Sequence, residues 1–132
     1  MIRAAKKRLA LLSISATLLL AWPAGAFAGS DTGTKFGHTY KFTNGYISNG
    51  AWAQTYFSDQ SAPKEVKLTY TYQNLSTMTV VTLGPVTNTS STSVAYALVQ
   101  VPNGISQQPV SGYSSHFINL GTPSIVNTHL PI

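Results

Sequence analysis

From residue 29 onward, apolar and polar residues change places at every second position, in runs of five to nine residues set between Gly, Pro and Asn. Period two is the mark of a strand with one face on a core and the other in water. The cleanest run is Val66–Gln73, where Val66, Leu68, Tyr70 and Tyr72 share one face and Lys67, Thr69, Thr71 and Gln73 the other. A second sets Phe36, His38, Tyr40 and Phe42 against Gly37, Thr39, Lys41 and Thr43. Over Tyr113–Leu120 both alternating sets carry apolar residues, which suggests burial on both sides. Residues 51–58, 77–83 and 93–101, rich in Val, Thr, Ala and aromatics, supply three more strands, and 125–128 is the weakest, a seventh. Helical periodicity is absent after residue 28. The pattern predicts an all-β domain, a small antiparallel β-sandwich or barrel of six to seven strands.

Turn chemistry divides these runs. Asn-Gly pairs stand at 44–45, 49–50 and 103–104, each suited to a backbone with positive φ. Only Tyr46, Ile47 and Ser48 separate the first two pairs, too few for a strand, so residues 44–50 read as one loop between strands 36–43 and 51–58. Residues 59–64, 84–92 and 102–112 read as the other long connections.

The first 28 residues follow a different rule. Arg3, Lys6, Lys7 and Arg8 precede an apolar run, Leu9–Ala21, broken only by Ser13, Ser15 and Thr17. A basic start and a short apolar stretch make a secretory signal peptide of bacterial appearance, and the run is too short for a span of about 20 apolar residues. Ala26 and Ala28 supply the small residues that a signal peptidase needs, which predicts cleavage after Ala28. The exported domain is then 29–132, with 29–34 as a flexible lead-in.

Cleavage changes the charge. The whole chain carries a formal +5, but four of its eight basic residues lie within the first eight positions. Downstream, Lys35, Lys41, Lys64 and Lys67 stand against Asp31, Asp59 and Glu65, leaving +1 and no arginine. Nucleic-acid binding needs clustered cations to neutralise phosphates, so that class is excluded. The absence of cysteine excludes disulfides, thiolate metal sites and a thiol nucleophile. A domain of 104 residues can stand on its core alone. Of those residues, 28 are Ser or Thr and only seven are charged, so the sheet faces are polar yet almost neutral. Edge strands short of charge are poorly protected against pairing with other chains, which makes self-association a partner to consider.

Candidate chemistry is sparse. A hydrolytic triad would draw on His38, His116 or His129 and on three acids, without a Gly-x-Ser-x-Gly elbow. Asp59 and Glu65 are the one plausible carboxylate pair, and loop solvation explains them equally well. The histidines lack metal-ligand spacing, and His38 reads as a hydrogen-bonded core or rim residue. Neither catalysis, a metal nor a cofactor is expected. Aromatic residues are more informative: Tyr46, in the Asn-Gly loop, with Trp52 and Tyr56, forms the candidate ligand-binding set. Trp52 and Phe57 fall on opposite faces of one strand, and Phe57 is assigned to the core. The chain reads as a secreted, non-enzymatic binding module acting at the cell envelope or in the medium. Its expected partner is a protein or an envelope glycan, and the mature part has no membrane span. The alternatives are a secreted toxin or antimicrobial protein, and a self-associating matrix or coat component.

Overall fold

A computed structural model describes residues 29–132 apart from Ser93 and Thr122. The expected signal peptide and its cleavage point lie outside the described residues. Eight strands run through those residues: β1 Gly29–Lys35, β2 His38–Ile47, β3 Gly50–Phe57, β4 Lys64–Asn74, β5 Thr79–Ser90, β6 Val94–Gln100, β7 Gln107–Ile118 and β8 Ile125–Pro131. They form two four-stranded antiparallel sheets, ordered β1-β2-β3-β6 and β5-β4-β7-β8. The fold is therefore the sandwich rather than the barrel, and it holds one strand more than the alternation suggested.

The additional strand is β1, which takes up the segment read as a flexible lead-in. Its composition hides it, since the residues facing the core side are Gly29, Asp31 and Gly33 rather than aliphatic ones. Each suits a close neighbour. A Cβ on Gly33 would stand 2.9 Å from the Tyr40 ring, and Asp31 accepts hydrogen bonds from the Tyr40 hydroxyl (3.2 Å) and from Asn127 Nδ2 (2.9 Å). The β1–β2 turn, Phe36-Gly37, has φ of 55° and 77°, the doubly positive geometry that matches strand twist in a two-residue hairpin.

Residues 44–50 are not one loop. Asn44 and Gly45 lie inside β2 opposite Ala53 and Trp52, the ladder continues to Ile47 opposite Gly50, and only Ser48 and Asn49 turn. Asn44 can occupy a strand because its Nδ2 finds two acceptors across the sandwich, Ser114 Oγ and the Leu130 carbonyl, while its Oδ1 is buried without a hydrogen-bond partner among the described residues. Of the three Asn-Gly pairs, positive φ is found only at Gly104. Gly84-Pro85 likewise does not end β5. Gly84 (φ 99°) forms a bulge where an added Cβ would meet the Leu68 carbonyl oxygen at 2.5 Å, and Val86 returns to the core beyond it.

Two apolar clusters fill the space between the sheets. One joins Ala51, Ala53, Ala95, Ala97 and Val99 to Val66, Leu68, Tyr70 and Tyr72. The small residues of β3 and β6 accommodate the two tyrosines of β4. The other joins Tyr40, Phe42 and Phe57 to Ile118, Ile125 and Leu130. Phe57 is thus in the core, as alternation required. Between the clusters lies a polar layer of Asn44, Thr55, Ser114 and His116, all fully buried.

Candidate functional site

The polar layer is a directional chain of hydrogen bonds. Thr55 Oγ1 donates to the Glu65 carbonyl (3.1 Å) and so accepts from His116 Nδ1 (2.7 Å). His116 Nε2, left as the acceptor, takes the Ser114 hydroxyl proton at 2.6 Å, and Ser114 Oγ in turn accepts from Asn44 Nδ2 at 2.8 Å. Asn44 Nδ2 also donates to the Leu130 carbonyl (2.8 Å), which ties β2 to β8 across the sandwich. These roles fix a neutral imidazole with its proton on Nδ1. Phe42 stacks on the ring at 4.8 Å and 9°. Burial pushes the His116 imidazole down to about 4, against the opposing pull of the Asp31 charge. A serine hydroxyl bound to a neutral imidazole is the arrangement that activates a nucleophile. Here both residues are 0% exposed, so no substrate reaches them, and the chemistry available is structural.

The acids do not pair. Asp59 accepts from the Ser61 amide (3.0 Å) and hydroxyl (2.7 Å), and these bonds hold its carboxyl below the usual range. Lys64, on the core side of β4 and 1% exposed, donates from Nζ to the carbonyls of Asp59 (3.3 Å), Gln60 (3.5 Å) and Ala62, stapling the 59–63 connection. Desolvation lowers its pKa. Glu65, the next residue along the strand, faces the other way. His38 is a half-buried rim residue, its ring 5.3 Å from Phe57 and its Nδ1 3.3 Å from Ser58 Oγ. His129 meets Tyr113 at 4.5 Å on the outer face of the other sheet. Among the described residues, no three of His, Cys, Asp and Glu converge on a point suited to a metal ion, and no helix is long and apolar enough to cross a membrane.

The aromatic set divides between two faces. Tyr46 does not project from a loop: it lies in β2 on the core side, half-buried, edge-on to Tyr70 at 6.0 Å. Trp52 and Tyr56 do share a face, the outer one of β1-β2-β3-β6. Trp52 stacks on Tyr96 of β6 (6.5 Å, 14°), with Ile47 and Leu98 completing an apolar cluster. Tyr56 lies farther along β3 beneath the Lys41 ammonium, 5.9 Å from its ring centroid. Tyr96 and Leu98 were not singled out by the sequence, although their register opposite Gln54 and Trp52 places them there. Their signal was the second alternating set of the 93–101 run, in which both faces are apolar.

No protein family, curated protein or solved structure matches this chain.

Proposed function

We propose that the protein is an exported, non-enzymatic binding module whose contact surface is the outer face of the β1-β2-β3-β6 sheet. The observation that carries this reading is the half-buried row of Tyr56, Tyr96 and Leu98 on the outer side of this sheet, seated on buried Trp52 and Ile47 and separate from the two clusters between the sheets. Trp52 and Ile47 are buried in this group, so the apolar surface the face offers to a partner is that of the half-buried Tyr56, Tyr96 and Leu98. Lys41 and Gln54 border it with hydrogen-bonding groups and one positive charge, a mixture suited to a flat, hydroxyl-rich glycan of the cell envelope. The sealed Ser114–His116 pair supports a non-enzymatic role, because the geometry nearest to a nucleophile and base is closed to substrate.

The test is binding of residues 29–132 to isolated cell envelopes and to glycans released from them. Tyr56→Ala and Tyr96→Ala are expected to weaken binding at least tenfold, about 1.4 kcal/mol. Tyr113→Ala, on the opposite sheet, is expected to leave it unchanged. Undiminished binding in both variants removes this face as the site. A second reading, self-association, is favoured by β6: Val94–Gln100 is an edge strand without charge or proline. It predicts sedimentation coefficients that rise with protein concentration.

A further inference from the structure

The three Asn-Gly pairs stand in three different backbone settings. An asparagine followed by glycine is open to attack on itself, because glycine has no side chain to shield its amide nitrogen from the asparagine Cγ. The attack needs a backbone free to turn about the asparagine Cα–C bond and space for a five-membered ring. Asn44-Gly45 lacks both. Asn44 is 0% exposed inside β2 with its Nδ2 held by Ser114 and the Leu130 carbonyl, and Gly45 is buried opposite Trp52. Asn49-Gly50 is at a turn, yet the Asn49 carbonyl accepts from the Val101 amide at 2.7 Å and Gly50 is buried in the ladder between Ile47 and Gln100. An added Cβ on Gly50 would stand 1.8 Å from the Val99 carbonyl oxygen, so this glycine has no space in which to move. Asn103-Gly104 differs from both. The two residues are exposed and form the turn of the 101–106 connection between β6 and β7, Gly104 has φ 86°, and a Cβ on it would meet nothing within 4 Å. The connection is fastened at its ends, where the Val101 amide binds the Asn49 carbonyl and the Leu75 amide binds the Ser106 carbonyl (2.8 Å). Among the described residues, no such backbone bond holds 103 or 104. An exposed turn of this kind opens at little cost in free energy, whereas a central ladder opens only with much of the fold.

We propose that Asn103-Gly104 is a self-modification site, at which Asn103 of the folded protein converts to aspartate and isoaspartate while Asn44 and Asn49 are preserved. The Gly104 nitrogen gives its proton to solvent base, and its electron pair forms a bond to Asn103 Cγ. The Cγ–Nδ2 bond breaks, and Nδ2 takes up a proton and leaves as ammonia. Water then adds to the cyclic imide. Addition at Cγ breaks the bond from Cγ to the Gly104 nitrogen and gives aspartate. Addition at the main-chain carbonyl carbon breaks the original peptide bond instead, so that the chain runs on through Cγ as isoaspartate. The sum is one amide and one water giving one carboxylic acid and one ammonia, with nothing oxidised or reduced. Isoaspartate lengthens the main chain by one methylene, and the turn absorbs it because the fastened points, Val101 and Ser106, lie on either side. Either product is a carboxylate at neutral pH. Residues 68–132 contain no Asp, Glu, Lys or Arg, so this is the first charge in that part of the chain, and it takes residues 29–132 from +1 to zero. The Leu75–Ser106 bond joins this connection to the 74–79 turn, where Leu75 and Met78 are exposed. The modification therefore places a negative charge on an end of the sandwich that is otherwise apolar and neutral.

The experiment incubates the full chain in mildly alkaline buffer, folded in one series and unfolded in urea in another. Peptide mapping by mass spectrometry follows the gain that replacing NH2 by OH gives at each of the three asparagines. Isoaspartate is read independently by methyl transfer from an isoaspartyl O-methyltransferase. In the folded series, conversion at Asn103 is expected to outpace that at Asn44 and Asn49 by roughly tenfold or more. In urea, the three sites are expected to react at similar rates, because their protection belongs to the fold. Anion-exchange chromatography of the folded series is expected to resolve a growing, more acidic form. Asn103→Gln, whose longer side chain does not close a five-membered ring, is expected to abolish that form. Similar conversion at all three sites in the folded protein overturns the proposal, as does an intact Asn103 in folded protein whose unfolded counterpart reacts. An acidic form that persists in Asn103→Gln overturns it as well.

Discussion

The buried imidazole makes the stability of this domain sensitive to acid, with a sign and size that follow from its surroundings. His116 is neutral because Thr55 accepts its Nδ1 proton, Ser114 donates to Nε2, and no water can reach either nitrogen. Ionising at about 4 when folded and near an ordinary 6.5 when unfolded, it binds its proton more readily in the unfolded chain. Stability is therefore complete above the unfolded value, declines as pH falls below it, and levels off beneath the folded one. The full difference is roughly 3 kcal/mol, of which about 2.5 kcal/mol is lost between about pH 7.5 and about pH 4.5. With a urea dependence of about 1.5 kcal/mol per molar, the unfolding midpoint falls by roughly 1.7 M over that range. Asp59, held low by Ser61, titrates beneath this window and does not imitate the effect. The assay is urea unfolding followed by circular dichroism in the wild type and in His116→Gln, whose amide takes up no proton. The variant is expected to be less stable at neutral pH yet to show a flatter dependence. An equal slope in both proteins, or a His116 resonance that titrates near 6.5 by NMR, refutes the reasoning.

Other outcomes follow from the same packing. Asn44→Ala removes the bonds to Ser114 and to the Leu130 carbonyl and leaves buried acceptors unpaired. It is expected to cost about 2–3 kcal/mol in thermal or urea unfolding and to speed amide exchange in β8. Gly50→Ala would place a Cβ 1.8 Å from the Val99 carbonyl oxygen, so the β3–β6 ladder must shift. A loss of roughly 1–3 kcal/mol or more is expected by the same measurement. Lys64→Met keeps the buried stem but withdraws the ammonium from the carbonyls of Asp59, Gln60 and Ala62. Hydrogen exchange is expected to rise across residues 59–63 while both sheets keep their protection.

Several features of the fold were legible from single residues. Val66, Leu68, Tyr70 and Tyr72 were placed on one face by alternation, and they form the wall of a core cluster. Phe57 was placed inside for the same reason. A strand signalled by glycine and one acid, as β1 is, carries no such pattern, because its inward positions serve Tyr40 and Asn127 by close approach and hydrogen bonding. Asn44-Gly45 looked like a turn because local propensity favours one. A partner 70 residues away, Ser114, overrides that propensity.

The sequence by itself determined that residues 29–132 are an all-β domain, nearly neutral, without cysteine, and preceded by an apolar segment with a basic start. Period two establishes which side chains travel together, and composition establishes which chemistries are absent. Neither establishes which face of a strand is inside when both faces are apolar. The tertiary structure decided that Tyr46 turns inward, that Trp52 turns outward to meet Tyr96, and that Ser114 and His116 close on Asn44 and Thr55 in the dark centre of the sandwich. Those choices depend on pairing strands distant in the chain, and a contact between residues 61 apart leaves no trace in the local alternation around either one.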